Sequence, residues 1–583
     1  MTEPIIRIGG GAAFFIDSAL AVPQLLAAGV DYIILDYLAE GAMGLLGRLR
    51  LADPAGGFPT DFMAVHIGPH LTAIAEKRVR IIANAGGVNP AGLANVLRQR
   101  LVELGLGLRV AAVAGDDLSS RAAEFSGAGI TDIANGSGFP KSGLTSCNAY
   151  LGAFPIAAAL AGGADIVITG RVVDSALALG PLIHEFNWGP HDFDLLAAGT
   201  LAGHLIECGA QATGGTFTDW RNVHGWANIG SPIAECARDG SLVITKPDGT
   251  GGLVSIGTVA EQMLYEVGDP QAYFVPDVTC DFSGVSLCQQ GIDRIAVSGA
   301  RGLPPTATLK VCATFDDGWR AIAYQPIIGP DAVARAQRQA EALFARGRMM
   351  LKAQGLADFR RTDAVLIGAG ESLGPRLFNT AAQEVVVKLV ADHDSPVAAG
   401  MFVREQFAAI SAMAPGTSVS FGAQVIPIAG LVSFLIPKSS VVATIDTGDG
   451  PVPFAAALVA GFVPEQIERP VKNARAGTTP RPLGDLAYVR SGEKGETINI
   501  AVIARDASHL PALRAALVPD AVAAWLGHLF DAPGEVTVYD VPGVAALNIV
   551  LAGALPGGIN ASTRLDPAAK SVGQQLLAFV VPV

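Results

Sequence analysis

The stretch VRIIANAGGVNPAGLANVLRQRLVELG, residues 79–105, decides the fold. It opens with a short apolar run of buried-strand length, which the segment Asn84-Ala85-Gly86-Gly87 then breaks. Asn89 followed by Pro90 reads as a helix cap and first-turn residue. Leu93, Val96, Leu97 and Leu101 form an apolar stripe, and Gly105 stops the helix. A buried strand, a glycine turn and a capped amphipathic helix in succession make the repeating half-unit of a parallel sheet with crossover helices.

Working outward, the same unit recurs around strands predicted at IIRIG (5–9), YIIL (32–35), RVAAVA (109–114) and DIVIT (165–169). After the last of these, Asp174 is placed to cap a helix running through Leu182. From about Lys246 the texture changes. VTCDFSGVSLCQQ (278–290), DRIAVSGA (293–300), TLKVCATF (308–315) and RAIAYQPII (320–328) alternate in the manner of antiparallel strands. A polar helix follows over 330–354, then strands at AVLIGAGES (364–372) and EVVVKLVAD (384–392). The Pro-rich VPEQIERPVKNARAGTTPRPLGD (463–485) reads as a linker. The fold class is therefore α/β: a large N-terminal domain (1–450) with a mainly parallel sheet and an antiparallel β-rich insertion, a linker (451–482), and a smaller α+β domain (483–583).

Composition narrows the function. The 583 residues carry 40 Lys+Arg against 53 Asp+Glu, a net charge of −13, which disfavours nucleic acid as a partner. Apolar residues make up 50% and charged residues 16%, so a large core is expected and disorder is not. With a mean hydropathy of +0.41 and so little charge to cover the surface, a homo-oligomer is expected. The N-terminus MTEPIIRIGGG lacks a basic region before an apolar one, and the longest apolar stretches are broken by Pro and Gly-Gly. A soluble, cytoplasmic protein with no membrane partner is the expectation. The six cysteines include no CxxC pair, which argues against a zinc knuckle or a disulfide scaffold.

In α/β sheets ligands bind beyond the carboxyl ends of the strands, where helix N-termini offer free N–H groups. That rule selects Gly10 in Gly9-Gly10-Gly11, Asp36 with Glu40, Asn84 with Gly86, Gly115 with Asp116 and Asp117, and Gly170 with Arg171 and Asp174. Asp174 reads first as a helix cap. Arg171, between a buried strand and a helix start, requires an anion beside it, either a protein carboxylate or a ligand. Asp36 and Asp116 are candidate bases or metal ligands. Phe14 stands where a dinucleotide fingerprint needs its third glycine, and no glycine loop leads to a Walker lysine, so nicotinamide and nucleoside triphosphate chemistry are unsupported. On a helix from Leu195, His204, Glu207, Cys208 and Gln211 would share a face and suggest a metal or thiolate wall; a capped helix with a buried cysteine is the competing reading. Near the C-terminus, Arg490, Ser491 and Lys494 in the turn before Gly495 suit either an anion nest for a CoA phosphate or a plain hairpin. Arg564 and Lys570 add later cations.

The strings LDYLAE (35–40), NAYLGAFPIAAALAGGADIVITGRVVDSALALGPLIHE (148–185), AAGTLAGHLIECGAQATGGTFTDW (197–220), GGLVSIGTVAEQMLYEVGDPQAY (251–273) and RSGEKGETINIAVIAR (490–505) carry a resemblance over nearly the whole chain. They resemble the acyclic terpene utilisation protein A family with its appended ferredoxin-like domain. The resemblance implies a place in citronellol and geraniol breakdown through acyl-CoA intermediates. The turn GGGAAFF (9–15) departs from the polar, Ser-containing turn usual in that family, which points to a different acyl group.

Together these readings lead to an enzyme doing acid–base chemistry next to a carbonyl, a carbon–carbon lyase or hydro-lyase on a 3-hydroxy acyl-CoA. Asp36 or Asp116 would be the base, and Arg171 or a divalent metal held by carboxylates the electrophile, with Asp174 beside them. Gly10, Asn84, Gly86, Gly115, Arg490, Ser491 and Lys494 would bind the ligand. No tightly bound cofactor is expected, the CoA thioester being the small-molecule substrate. A non-catalytic acyl-CoA-binding subunit and a metal-dependent hydrolase using His204 and Glu207 are the alternatives.

Overall fold

Five strands run parallel at the centre of the molecule: β1 (Ile6–Ala12), β2 (Tyr32–Leu35), β3 (Arg80–Ala83), β4 (Val110–Ala114) and, after β5 (Leu144–Ala149) has entered a second sheet, β6 (Ile166–Thr169). The computed structural model describes residues 4–419, 422–455, 461, 474–531 and 534–583. Most of the expected linker, 456–460 and 462–473, lies outside the described residues. Among those described, β7 (Ile233–Cys236) and β8 (Leu242–Thr245) extend the sheet antiparallel beyond β1, and Thr444–Asp446 does so beyond β4. The result is an open eleven-stranded sheet.

Apart from Arg7, Arg80 and Thr169 at or near the strand ends, the central strands are apolar because both faces are covered. Ile33, Ile34 and Leu35 are wholly buried, each side chain contributing about 1.5–3 kcal/mol relative to exposure. The chain steps from β1 to β2 to β3, skips to β4, and returns to place β6 between β3 and β4. Since parallel crossovers are right-handed, that reversal sends the next helix to the opposite face. Leu93, Leu97 and Leu101 of helix Pro90–Glu103 pack in one core, with Ile156 and Leu160 of helix Phe154–Ala161 in the other. Asn89 caps its helix as expected, its Oδ1 accepting from Gly92 N at 3.1 Å, but Val96 is exposed rather than part of the stripe.

Thr308–Ile328 forms one long strand where two were expected, with a register shift between Asp316 and Trp319 marking the apparent gap. It pairs antiparallel with β5, Glu384–His393 and Gln424–Pro437, and Arg361–Ile367 completes this second sheet. The C-terminal unit is a four-stranded antiparallel sheet of Ala487–Lys494, Thr497–Ala504, Ala546–Ala552 and Glu535–Val541, packed with short helices around its own core. It docks on the rest through apolar and polar contacts, Ala501, Ile503, Val541 and Ala546 joining a core of the main domain. Arg320, paired with Asp392, donates to the carbonyls of Ala561 and Ser562, and Lys388 donates to those of Thr563 and Arg564. No single helix among the described residues is long and apolar enough to cross a membrane.

Candidate active site

Asp36, Glu40 and Arg171 gather beyond the carboxyl ends of β2 and β6, the end of the sheet at which open α/β folds bind ligands. β2 delivers Asp36 and, four residues on, Glu40, the first residue of helix Glu40–Ala52, where its charge complements the helix dipole. β6 delivers Arg171, only 3% exposed. Its Nη1 donates to Leu38 O at 2.7 Å and to Asp174 Oδ1 at 2.8 Å. Asp174 is therefore the counterion of Arg171, not the cap of helix Ala176–Phe186, which has no side-chain cap.

The opposite wall comes from the second sheet. Tyr150, just past β5, places its ring 4.2 Å under the Arg171 guanidinium and donates from its hydroxyl to Glu40 Oε1 at 2.6 Å. Lys310 and Cys312 alternate onto the same face of the long strand, and Lys310 Nζ lies 3.3 Å from Glu40 Oε1. Burial pushes Asp36 well above the ordinary carboxyl range, with Asp174 adding to the effect against Arg171 and an Asn84 hydrogen bond. Burial acts the same way on Glu40, but Lys310, Arg171 and Lys494 outweigh it and hold Glu40 well below that range. Two carboxyls four chain positions apart are thus driven in opposite directions.

The C-terminal unit closes the third side. Lys494 lies within electrostatic reach of Glu266, Asp174, Glu40 and Tyr273, with its side chain 52% exposed. It pairs with Glu266 at 3.2 Å. Arg490 and Ser491 sit inside strand Ala487–Lys494, not in a turn, so the expected anion nest does not form. Ser491 Oγ donates to Ala569 O and accepts from Gly573 N, and Arg490 donates to Gln211. Arg564 spends its guanidinium on the carbonyls of Ala554 and Leu529, away from the cleft.

Other sequence candidates take supporting places. Asp116 accepts from Asn148 Nδ2 and Arg171 N, both at 2.8 Å, so it braces the backbone behind Arg171 rather than facing a substrate. Burial raises it to about 6. Asn84 accepts from Tyr37 N and donates to Asp36 Oδ1 at 2.6 Å, orienting that carboxyl. Gly10, Gly86 and Gly115 are sites of close packing. A Cβ would lie 2.0 Å from Ile206 O, 2.5 Å from Thr169 O and 2.2 Å from Val442 O respectively. Helix Phe193–Ile206 ends before Glu207, so Cys208 and Gln211 do not share its face. His204 lies between Glu207 at Nδ1 and Met263 O at Nε2, both ring nitrogens engaged, and Glu207 keeps a buried, unpartnered Oε2. Among the described residues no group of three or more His, Cys, Asp or Glu is arranged to hold a metal ion.

Sequence reasoning missed Tyr150, Lys310 and Glu266. The alternation in TLKVCATF was the one available signal, since it places Lys310 and Cys312 on one face; which wall that face meets is settled by distant pairing. Residues 6–447 match the model of the acyclic terpene utilisation family protein AtuA, and residues 481–582 match the AtuA ferredoxin-like domain. No curated protein matches the chain.

Proposed function

Because this chain belongs to the acyclic terpene utilisation family AtuA, we propose that it is an enzyme of acyclic terpene or branched acyl-CoA catabolism, acting by acid–base chemistry beside a carbonyl. The observation that carries this reading is the placement of Asp36 and Glu40 beside one guanidinium, with their carboxyls shifted in opposite directions. In a retro-aldol cleavage of a 3-hydroxy acyl thioester, ionised Glu40 takes the hydroxyl proton as the carbon–carbon bond breaks. Arg171, pre-oriented on Tyr150 and held by Leu38 O, stabilises the developing enolate oxygen. Asp36, whose protonated form burial favours, supplies the proton that quenches it. Loss of water from the same substrate uses the same three groups. Asp116, first a candidate base, is replaced in that role by Glu40, because its carboxylate is already spent on Asn148 and the Arg171 backbone.

The test is turnover of a branched 3-hydroxy acyl-CoA by the purified chain, with Glu40→Gln and Asp36→Asn as controls. Each substitution is expected to lower kcat by about 10²–10⁴-fold with the fold retained. Tight thioester binding without turnover in the wild type would favour a non-catalytic acyl-CoA-binding subunit instead.

A further inference from the structure

A cavity of about 150 Å³ lies beyond the carboxyl end of β1, one strand over from the strand that delivers Asp36. Its apolar lining includes Ala12, Ala21, Ala210, Trp226 and Ala227. The Ala12 carbonyl accepts the backbone N–H of Asp36 at 3.1 Å, so the lining and the Asp36 backbone are neighbours. Ala210 follows closely on Glu207, which is near enough to Asp36 to add to the upward push of burial on its carboxyl.

Two aspartates fasten the loop between β1 and helix Ala21–Ala28. Asp17 accepts the N–H groups of Ala13 and Ser18 at 2.8 and 2.6 Å, and Asp61 takes that of Ile16, which sits at φ +64°, at 2.6 Å. Asp17 is the one charged side chain on the lining among the described residues, and each of its oxygens is committed. Gln24 spends its amide on Ser231 N, Asn228 Oδ1 and Ile229 O. Ser231 also lines the cavity and is 6% exposed, and its hydroxyl has no partner among the described residues. A buried hydroxyl left open on a cavity wall is a place for a ligand atom.

The lining selects what fits. A carboxylate or phosphate finds no cation here and meets the Asp17 charge. A cavity of this volume holds a hydrocarbon of about six carbons. The cations Arg171, Lys310 and Lys494 act on Glu40 instead, so the charged and neutral ends of one molecule are directed to different places.

We propose that this cavity receives the uncharged aliphatic end of the substrate, about six carbons long, while the carbonyl end lies at Asp36, Glu40 and Arg171. Trp226 and Ala227 then limit chain length, and the Ser231 hydroxyl is the buried group free to meet an oxygen carried by the chain. The inference rests on the acid–base reading for the site that it extends.

The experiment is binding of hexan-1-ol and hexanoate to the full chain, read by tryptophan fluorescence, with Trp226→Phe identifying the reporter. Hexan-1-ol should bind saturably and roughly tenfold or more tighter than hexanoate, whose charge would be buried unpaired. Ala227→Phe places a ring at an exposed position of the lining. It should weaken hexan-1-ol roughly tenfold or more, the worth of about two buried methylene groups. Ser231→Ala should weaken it about threefold to tenfold, and Glu40→Gln should not. Ala227→Phe should also weaken hexanoyl-CoA roughly tenfold and leave acetyl-CoA unaffected, with wild-type circular dichroism in each variant. Unchanged alcohol affinity in Ala227→Phe, hexanoate bound as tightly as hexan-1-ol, or equal effects on the two thioesters would each overturn the proposal. So would loss of self-association in Ala227→Phe with alcohol binding intact, which would make the cavity a contact between copies of the chain. Alcohol binding needs no turnover, so a chain that binds hexan-1-ol here and turns over no thioester would sink the acid–base reading alone.

Discussion

The Arg171 guanidinium stands 4.2 Å from the centre of the Tyr150 ring. One residue closes a strand of the parallel sheet and the other follows a strand of the antiparallel sheet, so this contact is where the two sheets meet over the cleft. The ring offers its electron-rich face to the cation while its hydroxyl reaches Glu40. Glu40 and Arg171 are thereby held by one side chain.

Tyr150→Phe separates these two roles. The ring stays under Arg171, but Glu40 loses a charge-assisted hydrogen bond of about 1.5–3 kcal/mol. Turnover should fall about tenfold to a hundredfold with little change in melting temperature. Arg171→Lys should cost at least as much, because an ammonium cannot stack on the ring while meeting both Leu38 O and Asp174. Wild-type kcat/KM in both variants would remove Arg171 and Tyr150 from the reaction.

Stability should fall as pH rises from about 5 to 9. Burial raises Asp116 to about 6, Glu261 to about 7 and Glu493 to about 8. The fold therefore holds protons that the unfolded chain releases near pH 4. The stability these groups contribute is complete below that pH and is lost as pH passes through each raised value. Glu493→Gln should flatten the profile from about pH 5 to 8, between the release pH of the unfolded chain and the raised value, and leave it unchanged above about pH 9. Urea midpoints at pH 5.5, 7.0 and 8.5 check this, and an identical slope in the variant contradicts it.

Arg320 and Asp392 form a buried two-point ion pair at 2.8 and 2.8 Å whose guanidinium also reaches the C-terminal unit at Ser562 O, 2.8 Å. Asp392→Ala leaves that charge buried without its partner, a loss of about 3–5 kcal/mol. Because Arg320 also anchors residues 561–562, the C-terminal unit should become the first region cleaved in limited proteolysis. Unchanged cleavage order would show that docking rests on other contacts.

Gly10→Ala tests whether that glycine serves packing or ligand approach. The new methyl would meet Ile206 O at 2.0 Å, and the overpacking should cost about 1–3 kcal/mol. A drop in melting temperature with thioester affinity retained is expected. The reverse pattern would return Gly10 to the binding site.

The sequence by itself determined the parallel strands, the capped helix Pro90–Glu103 and the strand-end residues Asp36, Glu40 and Arg171, because hydrophobic periodicity and capping act within a few residues of chain. It also carried the family, through long unbroken strings such as residues 148–185. Only the tertiary structure decided that Asp174 pairs with Arg171 rather than capping a helix, and that Asp116 faces backward to Asn148. It alone brought Tyr150 and Lys310 to Glu40, and Lys494 to Glu266. Glu40 and Tyr150 are 110 positions apart in the chain. Ionisation at the site follows from their summed charges and from burial, and both depend on distances that no local pattern in the chain encodes.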